Sequence, residues 1–152
     1  RSAAISQLST MGASKEKIQR VTVVAANACG GPPQLRGHFV MAEQPQVANP
    51  SWWDSFERME GRINVIVNCI GSYGDKKQFY PNHIAARSQI LTFDPRSRDN
   101  KSEQFNRVWP IVLDELRKGR KVLVHCRQSF HRGPIAVACL MMKFSGADYK
   151  VG

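Results

Sequence analysis

Residues 63–70 read INVIVNCI, an apolar run of strand length with no consistently polar face. Such a run is stable as a strand only where both of its faces are covered, which places it inside a sheet with helices on either side. An antiparallel sandwich with one wet face would instead show alternation, and this segment does not alternate. The chain is therefore read as α/β, with a central mostly parallel sheet flanked by helices.

The rest of the pattern agrees. Residues 21–26 form a short β-branched run that stops at the breaker cluster Cys29-Gly30-Gly31-Pro32-Pro33. Residues 38–42 can form another strand. Asn49-Pro50-Ser51 then opens a helical pattern in which Trp52, Trp53, Phe56 and Met59 share a face, and Gly61 closes it. Aromatic stripes at that spacing usually pack inward, so these tryptophans are expected in the core and not as a ligand platform.

After a loop containing Gly71, Gly74 and Pro81, residues 90–93 look like a short strand leading into the polar stretch 94–100. Asn100 and Glu103 have capping-box spacing, and Phe105, Val108, Trp109, Val112 and Leu116 recur every three or four residues up to Gly119. Pro110 lies inside this helix and should kink it or move its start. Residues 122–124 are a short strand, and residues 134–144 an apolar helix with Pro134 in its first turn. Strands alternating with helices predict a parallel-rich layered fold.

A chain of 152 residues with 42% hydrophobic content supports one core. Residues 1–20 are polar and aperiodic and read as a tail or peripheral segment with a short helix at 15–20, leaving 21–152 as the globular domain. Position 1 is Arg, and the last recognisable element ends near residue 144, so a C-terminally truncated fragment is expected. No apolar stretch approaches the roughly 20 residues of a membrane span. The four cysteines, Cys29, Cys69, Cys126 and Cys139, show no CxxC pairing, which suits a reducing, intracellular setting, cytoplasmic or nuclear. A formal charge of +10 favours an anionic partner.

The chemistry concentrates in His125-Cys126-Arg127-Gln128-Ser129-Phe130-His131-Arg132-Gly133-Pro134, between the last strand and the last helix. A strand that ends at a cysteine and a tight loop that opens a helix aim successive backbone N–H groups and the positive helix end at one point. A cysteine at that focus is favoured as the thiolate, the nucleophilic form. Arg132 arrives as the helix begins and can hold two phosphoryl oxygens side by side, which a lysine cannot do. The bland alternative is a buried structural thiol near a surface arginine.

Cys126, five residues and then Arg132, directly after Val-Leu-Val-His, resembles the signature of the cysteine-based phosphatases. From about residue 36 to 146 the layout resembles the dual-specificity phosphatases. The loop departs from them: Ser129 stands where that family usually has Gly, and Gly133 where it has Ser or Thr. Ser-x-x-Arg-Gly-Pro is instead similar to the loop of rhodanese-like cell-cycle phosphatases and arsenate reductases, so a rhodanese-like fold is the alternative.

The resemblance implies a dual-specificity-type protein phosphatase with no cofactor or metal. Residues 127–132 would bind the phosphate and Cys126 would attack it. A loop aspartate upstream would protonate the leaving group. Asp94, in Phe93-Asp94-Pro95, lies at about the implied separation, with Asp99 as its competitor. His125 would orient the loop. Gly133 cannot supply the hydroxyl that helps the thiolate depart, so turnover would be slow unless Ser129 substitutes. Arg127 and His131 would either add positive potential for a multiply phosphorylated ligand or face solvent. Cys69 resembles the second cysteine that some such phosphatases oxidise against the catalytic one; an inert buried thiol is the plainer reading.

The implied substrate is phosphorylated protein, on tyrosine or on serine/threonine. A phosphoinositide, a catalytically weak phosphate-binding module and arsenate reduction are the alternatives. Arg117, Lys118, Arg120 and Lys121 lie at a helix C-terminus and the next strand's start, where cations complement the helix dipole. No RNA-binding aromatic motif accompanies them, and no nucleic-acid partner is expected.

Overall fold

The central strand is the one that ends at Cys126. A computed structural model describes residues 21–70, 79–127 and 131–146. Its elements run β1 (Thr22–Ala25), β2 (His38–Glu43), α1 (Gln44–Val47), α2 (Pro50–Glu60), β3 (Val65–Asn68), α3 (Asn82–Arg87), β4 (Gln89–Thr92), α4 (Lys101–Arg117), β5 (Lys121–Cys126) and α5 (Arg132–Ser145). The strands form one sheet in the order β1-β2-β5-β3-β4, with β1 antiparallel to β2 and the other neighbours parallel. The chain thus adopts the α/β fold with a mostly parallel sheet flanked by helices.

Because β5 lies between β2 and β3, the crossovers leave on opposite sides of it. Its C-terminal end is a switch point, where α/β sheets place their ligands. Strand alternation divides the core into two. Val122, Val124 and Cys126 face the cluster built from Phe105, Val108, Leu116, Leu140 and Phe144 of α4 and α5. Leu123 faces the opposite cluster, with Trp52, Trp53 and Phe56 of α2 and Ile84 of α3. The tryptophans are core residues: Trp52 stacks on Phe56 at 5.0 Å between ring centroids, and Trp53 Nε1 donates to Val47 O at 2.7 Å.

All four residues of β3 are buried, as a strand covered on both faces requires. The regular strand is shorter than the apolar run, although Cys69 N still donates to His125 O at 2.9 Å. α2 starts where Asn49 Oδ1 accepts from Ser51 N at 2.9 Å, with Pro50 as its first residue.

Three local expectations change. The Asn100 side chain makes no capping bond; the backbone alone begins α4. Pro110 neither ends that helix nor shifts its start, since Pro110 and Asn106, whose carbonyl it deprives of a donor, are both exposed while the helix buries Phe105, Val108, Val112 and Leu116 on its other side. The last helix opens at Arg132, so Pro134 is its third residue. The short helices α1 and α3 had no periodic signal, because four and six residues are too few to show a face. The expected tail and helix within residues 1–20 lie outside the described residues. Among the described residues, no helix is long and apolar enough to cross a membrane.

Candidate phosphate-binding site

β5 delivers Cys126 to the C-terminal edge of the sheet with its side chain on the α5 face, 2% exposed. α5 then begins over the sulfur: a Cβ built on Gly133 would stand 3.7 Å from Cys126 Sγ, so the backbone of the helix's first turn packs against the thiol. Arg132, the first residue of α5, is anchored through Nη1, which donates to Ile70 O at 3.3 Å and Cys69 O at 3.5 Å. These carbonyls follow β3, the strand beside β5, so the guanidinium is held at the same edge as the cysteine.

Asp94 reaches that edge from the turn after β4. Its Oδ2 lies 3.9 Å from Arg132 Nη1, while Oδ1 accepts from Arg96 N at 2.9 Å and the Asp94 N–H donates to Gln104 Oε1 at 2.9 Å. Its backbone is thus tied to α4 and its carboxylate faces the arginine. Asp99 is exposed.

Cys69 lies beside Cys126. The register pairs Asn68 with His125, and one step further puts the two cysteines on adjacent strands, both in the α4/α5 core cluster. Burial pushes the Cys69 thiol well up, Cys126 and Asp94 push it further, and Arg132 pulls it down. Both thiols are free.

His125 faces the other way. It is fully buried, its Nε2 is 2.6 Å from the Tyr80 hydroxyl oxygen, and the two rings meet edge to face. Burial pushes the His125 pKa down to about 3, the Cys126 backbone pulling back the other way, so the ring is neutral. Burial also pushes the Tyr80 phenol up, leaving a neutral hydroxyl. This pair fixes the residue before Cys126.

Of the loop between Cys126 and Arg132, Arg127 and His131 are exposed, while Gln128, Ser129 and Phe130 lie outside the described residues. The carbonyl of Arg127 accepts from Gln44 N at 3.1 Å, which turns it toward α1. His131 O receives Ile135 N at 3.2 Å in the first turn of α5.

Sequence reasoning missed Tyr80, which precedes Pro81 in a breaker-rich segment with no period to mark it. It also missed Glu43, which is buried and in register with Cys126 on β2, and Asn68, which is fully buried at the end of β3. For Asn68 a signal existed: a polar residue inside a strand covered on both faces needs a hydrogen-bonding task.

The chain matches no protein-family model, and no curated protein matches it significantly. A solved structure, "Protein Tyrosine Phosphatase (putative) from Leishmania major", is similar to it with a TM-score of 0.55 and 15% identity, over 87% of this chain and 83% of that chain. At that identity the likeness shows a shared fold.

Proposed function

We propose that residues 21–152 form a cysteine-dependent phosphatase domain that hydrolyses phosphate monoesters on protein. The observation that carries this reading is one edge of the sheet where Cys126 lies under the first turn of α5, Arg132 opens that helix, and Asp94 stands 3.9 Å from the arginine. A phosphatase-type fold on a neighbouring solved structure is consistent with it.

Cys126 Sγ attacks phosphorus. Arg132 and the N–H groups of residues 127–132, including Gln128, Ser129 and Phe130, hold the equatorial oxygens as charge moves onto them. Asp94 gives its proton to the leaving oxygen, and the sulfur–phosphorus bond of the phosphocysteine then breaks on attack by water. His125, held by Tyr80, fixes the strand end from which the nucleophile projects. The dual-specificity type, with phosphotyrosine and phosphoserine/threonine as substrates, is the form we favour; a phosphoinositide is the alternative, and arsenate reduction the outlying one. Four free thiols suit a reducing cytoplasmic or nuclear setting. Under peroxide, Cys69 and Cys126 would lose their two hydrogens as water and join as a disulfide, which mass spectrometry of the linked peptides would detect.

The test is hydrolysis of an aryl phosphate by the wild type beside Cys126→Ser. Loss of turnover in the variant is expected, and equal rates would remove the enzyme reading. Glutathione-dependent production of arsenite would redirect it to arsenate reduction.

A second reading, a module that binds phosphate and turns over slowly, draws on Gly133, which places no hydroxyl near Sγ. The 3.7 Å spacing is an ordinary van der Waals contact for a Cβ there. Gly133→Ser should speed breakdown of the phosphocysteine if that step limits turnover, read as a rise in steady-state rate without a change in the initial burst.

A further inference from the structure

Asn68 closes β3, is fully buried, and pairs in register with His125. An amide buried between two apolar layers is costly unless its polar atoms bond. Its Oδ1 accepts from Ile70 N, two residues on, at 2.9 Å. Its Nδ2 has no hydrogen-bond partner among the described residues, so the acceptor half carries the residue's defined contact.

That bond fixes more than one N–H. The Ile70 N–H and the Cys69 carbonyl belong to one planar trans peptide and point in opposite directions. Drawing the N–H back toward Asn68 turns the Cys69 carbonyl outward. The Cys69 N–H is taken by His125 O at 2.9 Å, which fixes the preceding peptide as well. The Cys69 carbonyl so turned accepts from Arg132 Nη1 at 3.5 Å, and the Ile70 carbonyl, on the next peptide, accepts from the same nitrogen at 3.3 Å.

We propose that Asn68 is a positioning residue for Arg132: by holding the peptide between Cys69 and Ile70 in one orientation, it presents the Cys69 carbonyl, one of the two that aim the guanidinium at the anion. This rests on the reading of Arg132 as the phosphoryl-binding group. Asn68 touches no substrate and acts only through the turn.

The experiment compares wild type, Asn68→Leu and Asn68→Ser for orthophosphate affinity by calorimetry, for kcat and KM on an aryl phosphate, and for melting temperature. Leucine keeps roughly the volume and removes the acceptor; serine loses volume but keeps an oxygen able to accept from the N–H two residues on. Loss of one charge-assisted contact predicts a rise of about tenfold in phosphate Kd and KM for Asn68→Leu, with Asn68→Ser within about threefold of wild type. A role in packing alone would order the variants by volume in melting temperature and leave the affinity of the folded protein unchanged.

Wild-type affinity retained in Asn68→Leu overturns the proposal while leaving Arg132's role intact. A wild type that binds no phosphate removes the reading of Arg132, and this inference with it. If Asn68→Leu does not fold, Asn68→Ser against Asn68→Ala decides: tighter phosphate binding by serine supports the proposal, and equal binding overturns it.

Discussion

The two ends of the parallel sheet are built on opposite principles. At the end where β2 and β5 begin, backbone and charge close on themselves. Gly37 N donates to Leu116 O at 3.0 Å, Lys121 Nζ donates to Glu60 O at 3.0 Å, and Arg120 and Lys118 pair with Glu115 and Asp114 at 3.1 and 2.9 Å. At the end where β5 stops, the arginine rests on two carbonyls with its facing carboxylate at 3.9 Å, beside two buried thiols. A cation with a close carboxylate has little further use for an anion. One held mainly by neutral carbonyls keeps more of its charge for a ligand, and on the proposed reading that separates a stabilising end from the end that binds the anion.

If this contrast is right, a change at Arg132 should harm function with little effect on stability. Arg132→Lys keeps the charge and loses the planar fork, so it should lower kcat/KM on an aryl phosphate by on the order of 10²–10³-fold, the scale of a lost oxyanion donor. Its melting temperature should stay close to the wild type, because among the described residues Nη1 makes long contacts, at 3.3, 3.5 and 3.9 Å. A variant that unfolds early would show that this end is structural too.

His125 sharpens the comparison because it lies at the Cys126 end and is also buried. Its folded pKa, near 3, is below the unfolded value of about 6.5. Between these values the unfolded chain takes up a proton that the native ring refuses, so stability falls as pH drops from about 6.5 toward 3. From pH 6 to pH 4 that loss is roughly 2–3 kcal/mol. His125→Gln should remove this share, so urea unfolding at the two pH values should show a smaller decline than in the wild type. An unchanged slope would mean that the ring titrates normally.

Gly37 tests the other end. A Cβ there would lie 2.1 Å from Arg120 O and 3.0 Å from the Leu116 Cα, both backbone atoms that cannot swing away. Gly37→Ala should cost about 1–3 kcal/mol through overpacking. The folded fraction should keep the wild-type KM, since the substitution lies a strand's length from Cys126.

What the sequence revealed follows the same division. The buried strand at residues 63–70, the α2 and α4 stripes and the strand–loop–helix at Cys126 were legible because each is a repeating or contiguous pattern. Asp94 was singled out as the loop acid through the family resemblance; that its carboxylate lies 3.9 Å from Arg132 Nη1 came only from the structure. Glu43 beside Cys126 is a product of sheet register, and Tyr80 against His125 a contact across 45 residues, neither of which a local window encodes. Pro110 leaves the start of α4 where the apolar pattern put it, because its cost depends on whether the orphaned carbonyl meets water, which is a property of the packed helix. The conspicuous cations Arg117, Lys118, Arg120 and Lys121 lie at the closed end of the sheet.

The smallest effect expected concerns Lys118 and Asp114, one helical turn apart on the surface of α4. The Lys118 side chain, by hydrogen bond and by charge, holds the Asp114 carboxyl below its usual range, with Arg117 and Arg120 adding to the pull. A depressed carboxyl favours the folded chain above the unfolded pKa and loses that benefit as pH falls through the folded one. Both side chains are open to water, at 49% and 63% exposure, so screening leaves little of the shift as stability. Lys118→Ala should therefore let the Asp114 titration, followed by carboxyl NMR, move back up toward the ordinary value while the melting temperature stays within error. A clear drop in melting temperature would show that even the outermost charge at this end helps to hold the fold.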